Sequence, residues 1–126
     1  MENNKEKQKF SLAKRTKSFK YAGRGVCLHL QTTHNSWIQI FIFLCVVALG
    51  LFLGITKIEW LFVILASGLV FVSEAFNTAI EIDIDLTSPE FHPCAKNTKD
   101  VAAGAVLISS IIAAAVGLII FVPYFL

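Results

Sequence analysis

The sequence predicts an all-α integral membrane protein, built from an N-terminal interfacial amphipathic helix and three transmembrane helices. The chain has 126 residues, of which 56% are hydrophobic and 16% are charged, and its mean hydropathy is +0.68. An ordinary soluble domain has about 25% charged residues, and disordered segments have few hydrophobic ones. The composition therefore excludes a disordered chain and a nucleic-acid-binding tail, and no nucleic-acid partner is expected.

Three apolar stretches, expected as spans at about residues 36–55, 59–84 and 100–123, are each long enough to cross a bilayer. A spanning helix needs about 20 mostly apolar residues. The alternative is a soluble protein with three hydrophobic core helices. A chain of this length has too little polar sequence to cover such helices, so the membrane interpretation is preferred.

Basic residues indicate the orientation of the spans. Residues 1–24 carry eight Lys or Arg and two Glu, whereas residues 25–126 carry three Lys and seven acids. Two of those three lysines, Lys96 and Lys99, lie in the second loop. Because Lys and Arg concentrate in cytoplasmic segments, the N-terminus and the second loop are expected in the cytoplasm and the C-terminus outside.

The segment at residues 11–33 has an apolar stripe at helical spacing and basic residues over most of its remaining surface. This pattern is typical of a helix that lies in the interface of an anionic membrane leaflet. The alternative is a soluble, positively charged tail. Residues 1–9 are polar and expected to be disordered, so residues 10–126 are expected to form a single membrane domain.

Polar residues at helical spacing follow one face of the second span. At 100° per residue, five side chains lie within about 100° of one another, while Asp83 lies on the opposite side. The five are Glu74, Asn77, Thr78, Glu81 and Asp85. Ionisable residues inside a span cost roughly 2.5–3.5 kcal/mol each and are functional by default. The alternative is a stripe of interhelical hydrogen bonds that only joins subunits.

The two glutamates of this stripe suit different tasks. Glu74 and Glu81 are about 10.5 Å apart along the helix axis, which is too far for both to hold one ion directly. Glu74, expected nearer the mid-plane and partly desolvated, suits a general base. Glu81, expected near the cytoplasmic interface, suits Mg²⁺ held by one or two carboxylates and substrate phosphates. Asn77, between them, can orient either group.

The second loop and the start of the third span contain a candidate phosphate site. Lys99 is expected at a helix start, where spare N–H groups favour an anion. The alternative is an ordinary positive-inside lysine beside Asp100 as a helix cap.

Four segments together resemble the small prokaryotic diacylglycerol kinase and undecaprenol kinase family. They are EAFNTAIExxxD at 74–85, SPEFHP at 88–93, AKxxKDxAAGAVL at 95–107 and SFKYAxxG at 18–25. The resemblance implies a homotrimer of three-span subunits in the bacterial inner membrane. It also implies transfer of the ATP γ-phosphate, with Mg²⁺, to the hydroxyl of a membrane lipid, either undecaprenol or diacylglycerol.

The resemblance also implies roles for individual residues. Glu74 corresponds to the general base and Glu81 to a metal ligand. The residues implied at the nucleotide are Lys14, Tyr21, Glu90, His92, Lys99 and Asp100. The residues implied to orient the site or bind lipid are Asn77, Asp85 and Ser18.

The start of the first span departs from the family pattern. Thr33 stands where family members commonly have a metal-binding glutamate, and Trp37 stands where they have an arginine, whereas Asn35 is retained. His34 or Asp85 is a candidate replacement for the missing carboxylate. The departure implies weaker metal affinity, a different nucleotide or lipid preference, or a degenerate member without kinase activity.

Two other functions remain as alternatives. One is a catalytically degenerate membrane scaffold of the same fold, which would bind no ATP. The other is a proton- or ion-coupled carrier subunit, which needs a polar path continuing outward from Glu74. The polar side chains available for such a path are serines only, at positions 67, 73, 109 and 110.

Overall fold

The computed structural model describes residues 11–126, and this part of the chain folds into four α-helices joined by short connections. They are α1 (Leu12–Thr32), α2 (His34–Leu53), α3 (Lys57–Thr87) and α4 (Pro93–Phe125). The last three are long and apolar enough to cross a membrane. The predicted all-α membrane fold, with an N-terminal helix ahead of three apolar spans, is therefore confirmed. The expected disorder of residues 1–9 lies outside the described residues.

The most extensive packing in the bundle is between α3 and α4, which form a long antiparallel pair. The buried Ser109 of α4 lies with its Oγ 2.7 Å from the Ser73 Oγ of α3, so the two hydroxyls satisfy each other inside the pair. Helices α1 and α2 make smaller contacts with this pair. The α3–α4 pair is therefore the frame on which the polar stripe of α3 is presented to α1 and α2.

The α2–α3 turn is held by local capping and a small apolar core. Gly54 ends α2 in the left-handed conformation with φ of 65°, which glycine adopts without steric cost. The Thr56 hydroxyl accepts from the Glu59 N–H, and the Glu59 carboxylate accepts from the Thr56 N–H, forming a capping box. The Tyr124 hydroxyl donates to the Glu59 carboxylate at 2.7 Å, which ties the end of α4 to this turn. The buried core beside it consists of Ile55, Val63, Ile120 and Phe121.

The start of α4 differs from the sequence-based expectation. The helix begins at Pro93, so Lys99 lies in its second turn. The expectation of a helix start at Lys99 is therefore wrong, and so is the alternative in which Asp100 caps the helix. Proline at the first helical position has its φ already fixed for a helix and needs no N–H partner. The His92 ring accepts from the Cys94 N–H at 3.1 Å and caps the helix in place of Asp100.

We expect that replacing Gly50 with alanine destabilises the α2–α3 hairpin. An added Cβ would lie 2.8 Å from Cη2 of Trp60 and 3.1 Å from Cδ1 of Ile55, so the indole would have to shift. Overpacking of this kind costs about 1–3 kcal/mol. The free energy of unfolding in detergent micelles, measured by titration with a denaturing detergent, should fall accordingly. Gly68→Ala is the matched control, because its Cβ would meet no atom within 4 Å. Equal stability of the two variants would contradict the packing described.

Candidate active site

The carboxylate of Glu74 is buried, with 4% of the residue exposed, and its two oxygens have different environments. Oε1 accepts a hydrogen bond from Asn35 Nδ2 at 3.1 Å. Oε2 is buried and has no hydrogen-bond partner among residues 11–126. Leaving a buried oxygen unsatisfied is costly, so it calls for an explanation such as a catalytic role. One oxygen of Glu74 is thus held by the protein while the other is left for a donor.

The contact with Asn35 also fixes the depth of Glu74 in the bundle. Asn35 is the second residue of α2, and the 20 residues of α2 are about 30 Å long, which matches the hydrocarbon thickness. Glu74 therefore lies level with the first turn of α2. That Glu74 lies nearer the membrane mid-plane than Glu81 stays a prediction. Helix α3 continues for 13 residues beyond Glu74, about 20 Å, so its stripe extends past the end of α2.

Asn77 and Glu81 continue the stripe outward from Glu74. Asn77 is buried, and its Nδ2 donates to Glu81 Oε1 at 3.3 Å. Within the part of the chain that the structure describes, the Asn77 Oδ1 is buried without a hydrogen-bond partner, and the Glu81 residue is half-buried. Asn77 is thus hydrogen-bonded to Glu81 rather than to Glu74. This one hydrogen bond orients both the Asn77 amide oxygen and the Glu81 carboxylate.

The donor set of this stripe suits a Mg²⁺ ion that is held largely by phosphates. Among residues 11–126, no three His, Cys, Asp or Glu side chains are grouped closely enough to hold a metal alone. Mg²⁺ is commonly bound by one or two carboxylates, water and substrate phosphates. The Glu81 carboxylate and the unpartnered Asn77 oxygen fit this pattern. Asp85, one of the two candidates to replace the missing carboxylate, is engaged in an ion pair.

That ion pair joins the ends of α3 and α4. The Lys99 Nζ lies 2.5 Å from Asp85 Oδ1, and the Lys96 Nζ lies 2.6 Å from Asp100 Oδ2. Asp85 and Asp100 are exposed, whereas Lys99 is half-buried. Lys99 is therefore held on the side of α4 that faces α3, near the end of the polar stripe.

The remaining residues expected at the nucleotide are on exposed surface. Glu90 and His92 lie on the connection between α3 and α4, where the His92 ring serves as the α4 cap. Lys14, Ser18 and Tyr21 are spaced by four and three residues on α1, so they share one face of that helix. The Ser18 hydroxyl donates to the Lys14 carbonyl at 3.0 Å.

A cluster that the sequence analysis missed lies where α1, α2 and α3 meet. The His29 ring has Nδ1 3.0 Å from the Thr78 Oγ1 and Nε2 3.0 Å from the Ser36 Oγ. Thr33, the residue at the departure from the family pattern, has its Oγ1 3.3 Å from His29 Nδ1 and 3.0 Å from the Ser36 Oγ. Ser36 is fully buried. His29, Thr33 and Ser36 are spaced by four and three positions, but Thr33 lies in the break between α1 and α2, and the fourth member, Thr78, lies on α3.

A groove between α2, α3 and α4 opens beside the Asn35–Glu74 pair. It encloses about 470 Å³, and Asn35 and Gln39 line it at the end nearest Glu74. The walls beyond are mainly aliphatic and aromatic side chains and continue to Phe121 at the opposite end of the bundle. The Gln39 Oε1 is buried and has no hydrogen-bond partner in the described residues. The groove is therefore mainly apolar, with an amide pair at the end where the carboxylate lies.

The three long apolar helices define an integral membrane protein, and comparisons with known proteins name its family. The family model described as prokaryotic diacylglycerol kinase matches residues 20–121. The chain is 39% identical over 107 residues to the undecaprenol kinase of Bacillus subtilis (strain 168), covering 85% of this chain and 87% of that protein. It is 34% identical over 109 residues to a diacylglycerol kinase of Helicobacter pylori (strain ATCC 700392 / 26695), covering 81% of this chain and 85% of that protein.

A diacylglycerol kinase of Synechocystis sp. (strain ATCC 27184 / PCC 6803 / Kazusa) is 38% identical over 107 residues, covering 84% of this chain and 61% of that protein. The chain belongs to the prokaryotic diacylglycerol kinase family, so the family predicted from the sequence is confirmed. The predicted enzyme class, a lipid kinase, is confirmed by the same matches.

We expect Asn35→Ala to destabilise the protein by about 1.5–3 kcal/mol, because it removes a hydrogen bond to a buried carboxylate. The substitution leaves both oxygens of Glu74 without a partner. The cost should be smaller in a Glu74→Gln background, since a neutral amide loses less when a donor is removed. A double-mutant cycle on the free energy of unfolding in micelles measures this coupling. Additive effects of the two substitutions would show that the Asn35–Glu74 bond does not form.

Proposed function

We propose that this chain transfers the γ-phosphate of ATP, with Mg²⁺, to the hydroxyl of a membrane lipid alcohol. The observation that carries the proposal is the Glu74 carboxylate, with one oxygen held by Asn35 and the other unpartnered, beside the mouth of the apolar groove. A lipid whose chain occupied the groove would present its hydroxyl at this end. The level of Glu74 at the end of α2 is also where lipid headgroups lie.

In the proposed reaction, the free oxygen of Glu74 accepts the proton of the lipid hydroxyl. The hydroxyl oxygen forms a bond to the γ-phosphorus, while the bond from that phosphorus to the β,γ-bridging oxygen breaks and ADP leaves. A positioned general base contributes about 10²–10⁴-fold to such a step. Asn35, which lines the groove, keeps the other oxygen of the carboxylate in place, so the acceptor oxygen keeps one orientation.

The nucleotide is assigned to the outer part of the stripe, where α3 and α4 extend beyond α2. Phosphoryl transfer depends mainly on positioning and charge neutralisation. Mg²⁺, held by Glu81 with Asn77 and by the phosphates, supplies part of that neutralisation. Lys99 supplies a further positive charge, for which the phosphates compete with Asp85. The other nucleotide-contacting groups in the proposal are Lys14, Tyr21, Glu90, His92 and Asp100.

Undecaprenol is the proposed substrate, with diacylglycerol as the second candidate. The first supporting observation is the B. subtilis relative, which is named an undecaprenol kinase and matches across 87% of its length. The second is the groove, whose walls are mainly hydrocarbon and suit an isoprenoid chain.

The proposal includes a homotrimer in a bacterial inner membrane, with α1 and the α3–α4 connection in the cytoplasm. The basic residues of α1 and the lysines of the second loop support this orientation. The many large apolar side chains exposed on α2, α3 and α4 leave faces for lipid and for neighbouring subunits.

The carrier alternative is disfavoured by the packing outward of Glu74. Ser73 and Ser109 are hydrogen-bonded to each other, and beyond them lies the apolar core around Val63 and Phe121. A polar path for protons or ions would have to cross this core.

Glu74→Gln should abolish phosphate transfer, lowering kcat by at least about 10²-fold, because an amide cannot accept the hydroxyl proton. The assay gives purified protein in mixed micelles Mg²⁺ and labelled ATP, with undecaprenol and diacylglycerol in parallel. Asp83→Asn is the matched control, since it also replaces a carboxylate of α3 by an amide, on an exposed position outside the proposed site. Asp83→Asn should retain activity. Absence of transfer to either lipid by the unaltered chain would overturn the proposal and favour the scaffold alternative.

Lys99→Met should raise the KM for ATP about tenfold, since one charge-assisted hydrogen bond to a phosphate contributes about 1.5 kcal/mol or more. Lys57→Met removes the same charge at the opposite end of α3 and should leave the KM unchanged. The two variants are compared by steady-state kinetics at saturating lipid. An equal KM for ATP in the two variants would show that Lys99 does not contribute to nucleotide binding.

A further inference from the structure

We propose that His29 is a positioning residue that fixes the surface helix α1 against α2 and α3 and thereby aligns the nucleotide-facing residues of α1 with Glu74. The structural part of this inference rests on the His29 contacts. Its kinetic consequence rests on the proposed function. It concerns a residue outside the motifs that identify the family.

The first argument is the exposure of α1. No residue of α1 is buried, so this helix has no apolar core of its own to fix its angle against the spans. His29, in its last turn, is half-buried and makes side-chain hydrogen bonds to both neighbouring helices, at Thr78 of α3 and Ser36 of α2. These bonds supply directional contacts at the point where α1 meets the bundle.

The second argument is a count of hydroxyl protons. The Thr78 hydroxyl donates to the main-chain carbonyl of Glu74 at 2.9 Å, so its oxygen accepts from Nδ1–H of His29. The Thr33 hydroxyl donates to the carbonyl of His29 itself. The Ser36 Oγ lies 3.0 Å from the His29 Nε2, and the Ser36 hydroxyl donates to the Thr33 Oγ1 at 3.0 Å. Each ring nitrogen of His29 therefore has a hydroxyl within hydrogen-bond distance, one on α3 and one on α2.

The third argument is the position of these partners next to the Asn35–Glu74 pair. Ser36 follows Asn35 in the first turn of α2, and the Thr78 hydroxyl is bonded to the carbonyl of Glu74. The His29 ring thus joins the end of α1 to the turns that carry both members of the pair. A change in the orientation of α1 would therefore disturb the turns of Asn35 and Glu74 through the hydrogen bonds of His29.

The fourth argument is that a small rotation of α1 about its C-terminal end moves its distant residues by several ångströms. Tyr21 and Lys14 lie about 12 Å and about 22 Å from His29 along α1. A rotation of the helix by about 10° about its C-terminal end would displace these residues by about 2 Å and about 4 Å. Displacements of this size are large for groups that hold a reactant, since misplacement by about 1 Å can cost about 10²-fold. A fixed angle for α1 is therefore a requirement of the proposed nucleotide site.

The test compares three substitutions of His29 with a control on the same turn. His29→Ala removes both hydrogen bonds, whereas His29→Asn keeps an amide donor near the position of Nδ1, and Gln31→Ala changes an exposed neighbour. His29→Gln places an amide near the position of Nε2 instead. We expect His29→Ala to raise the KM for ATP about tenfold while kcat and the KM for lipid change less than about twofold. His29→Asn should recover most of this loss because it keeps the bond to Thr78, and His29→Gln should recover less.

A second readout does not depend on activity. Amide hydrogen exchange in micelles should be faster along α1 in His29→Ala than in the unaltered protein, and Gln31→Ala should match the unaltered protein. Unchanged exchange in α1 would overturn the inference even if the chain is a kinase. An equal fall in kcat and in apparent affinity for both substrates would also overturn it, because that result indicates general destabilisation. If the unaltered chain transfers no phosphate, the proposed function fails, and the exchange experiment still decides whether His29 holds α1.

Discussion

The hydrogen bond between Asn35 and Glu74 is the interaction on which the geometry of the site depends. Glu74 is only 4% exposed, so its carboxylate needs a hydrogen-bond partner, and that partner comes from a different helix. The bond therefore fixes the register of α2 against α3 as well as the orientation of the carboxylate. Asn35 bonds to only one oxygen of Glu74. The free-energy cost of burying the other oxygen without a partner therefore persists until a hydrogen-bond donor reaches it. The same bond that joins the two helices thus defines which oxygen is available and which direction it faces.

Unequal helix lengths determine where that oxygen lies. Helix α2, with 20 residues, is about as long as the hydrocarbon layer is thick, whereas α3 and α4 have 31 and 33 residues. The longer pair therefore extends beyond α2, and Glu74 lies at the level where α2 begins. The apolar groove, the Glu74 carboxylate and the extended polar stripe follow one another along α3. This order matches what a lipid kinase must bring together, which is a hydrocarbon chain, its hydroxyl and a nucleotide from the water.

The fold was predictable because its determinants are local. Long uncharged stretches and the periodic acids of α3 can be read from one segment at a time, and the specific motif around Glu74 identified the family. The sequence-based predictions fell short where the determinant is a contact between helices or a cap. The partner of Glu74 is Asn35 on another helix, and the start of α4 depends on His92 capping ahead of Pro93. His29 was missed because α1 ends between it and Ser36, and because its other partner, Thr78, is 49 positions away.

Thr33 stands where the family resemblance implies a glutamate, and a threonine there would change the charge of the proposed site as well as its ligands. The Thr33 hydroxyl donates to the His29 carbonyl and accepts from Ser36, and so it contributes to the cluster that joins α1 to α2. In the proposed reaction, a site with fewer carboxylates near the stripe would leave more of the oxygen ligands of Mg²⁺ to the phosphates. The position of the nucleotide would then depend more strongly on helices α1 and α4, and the proposed anchoring of α1 by His29 would be more important in this chain.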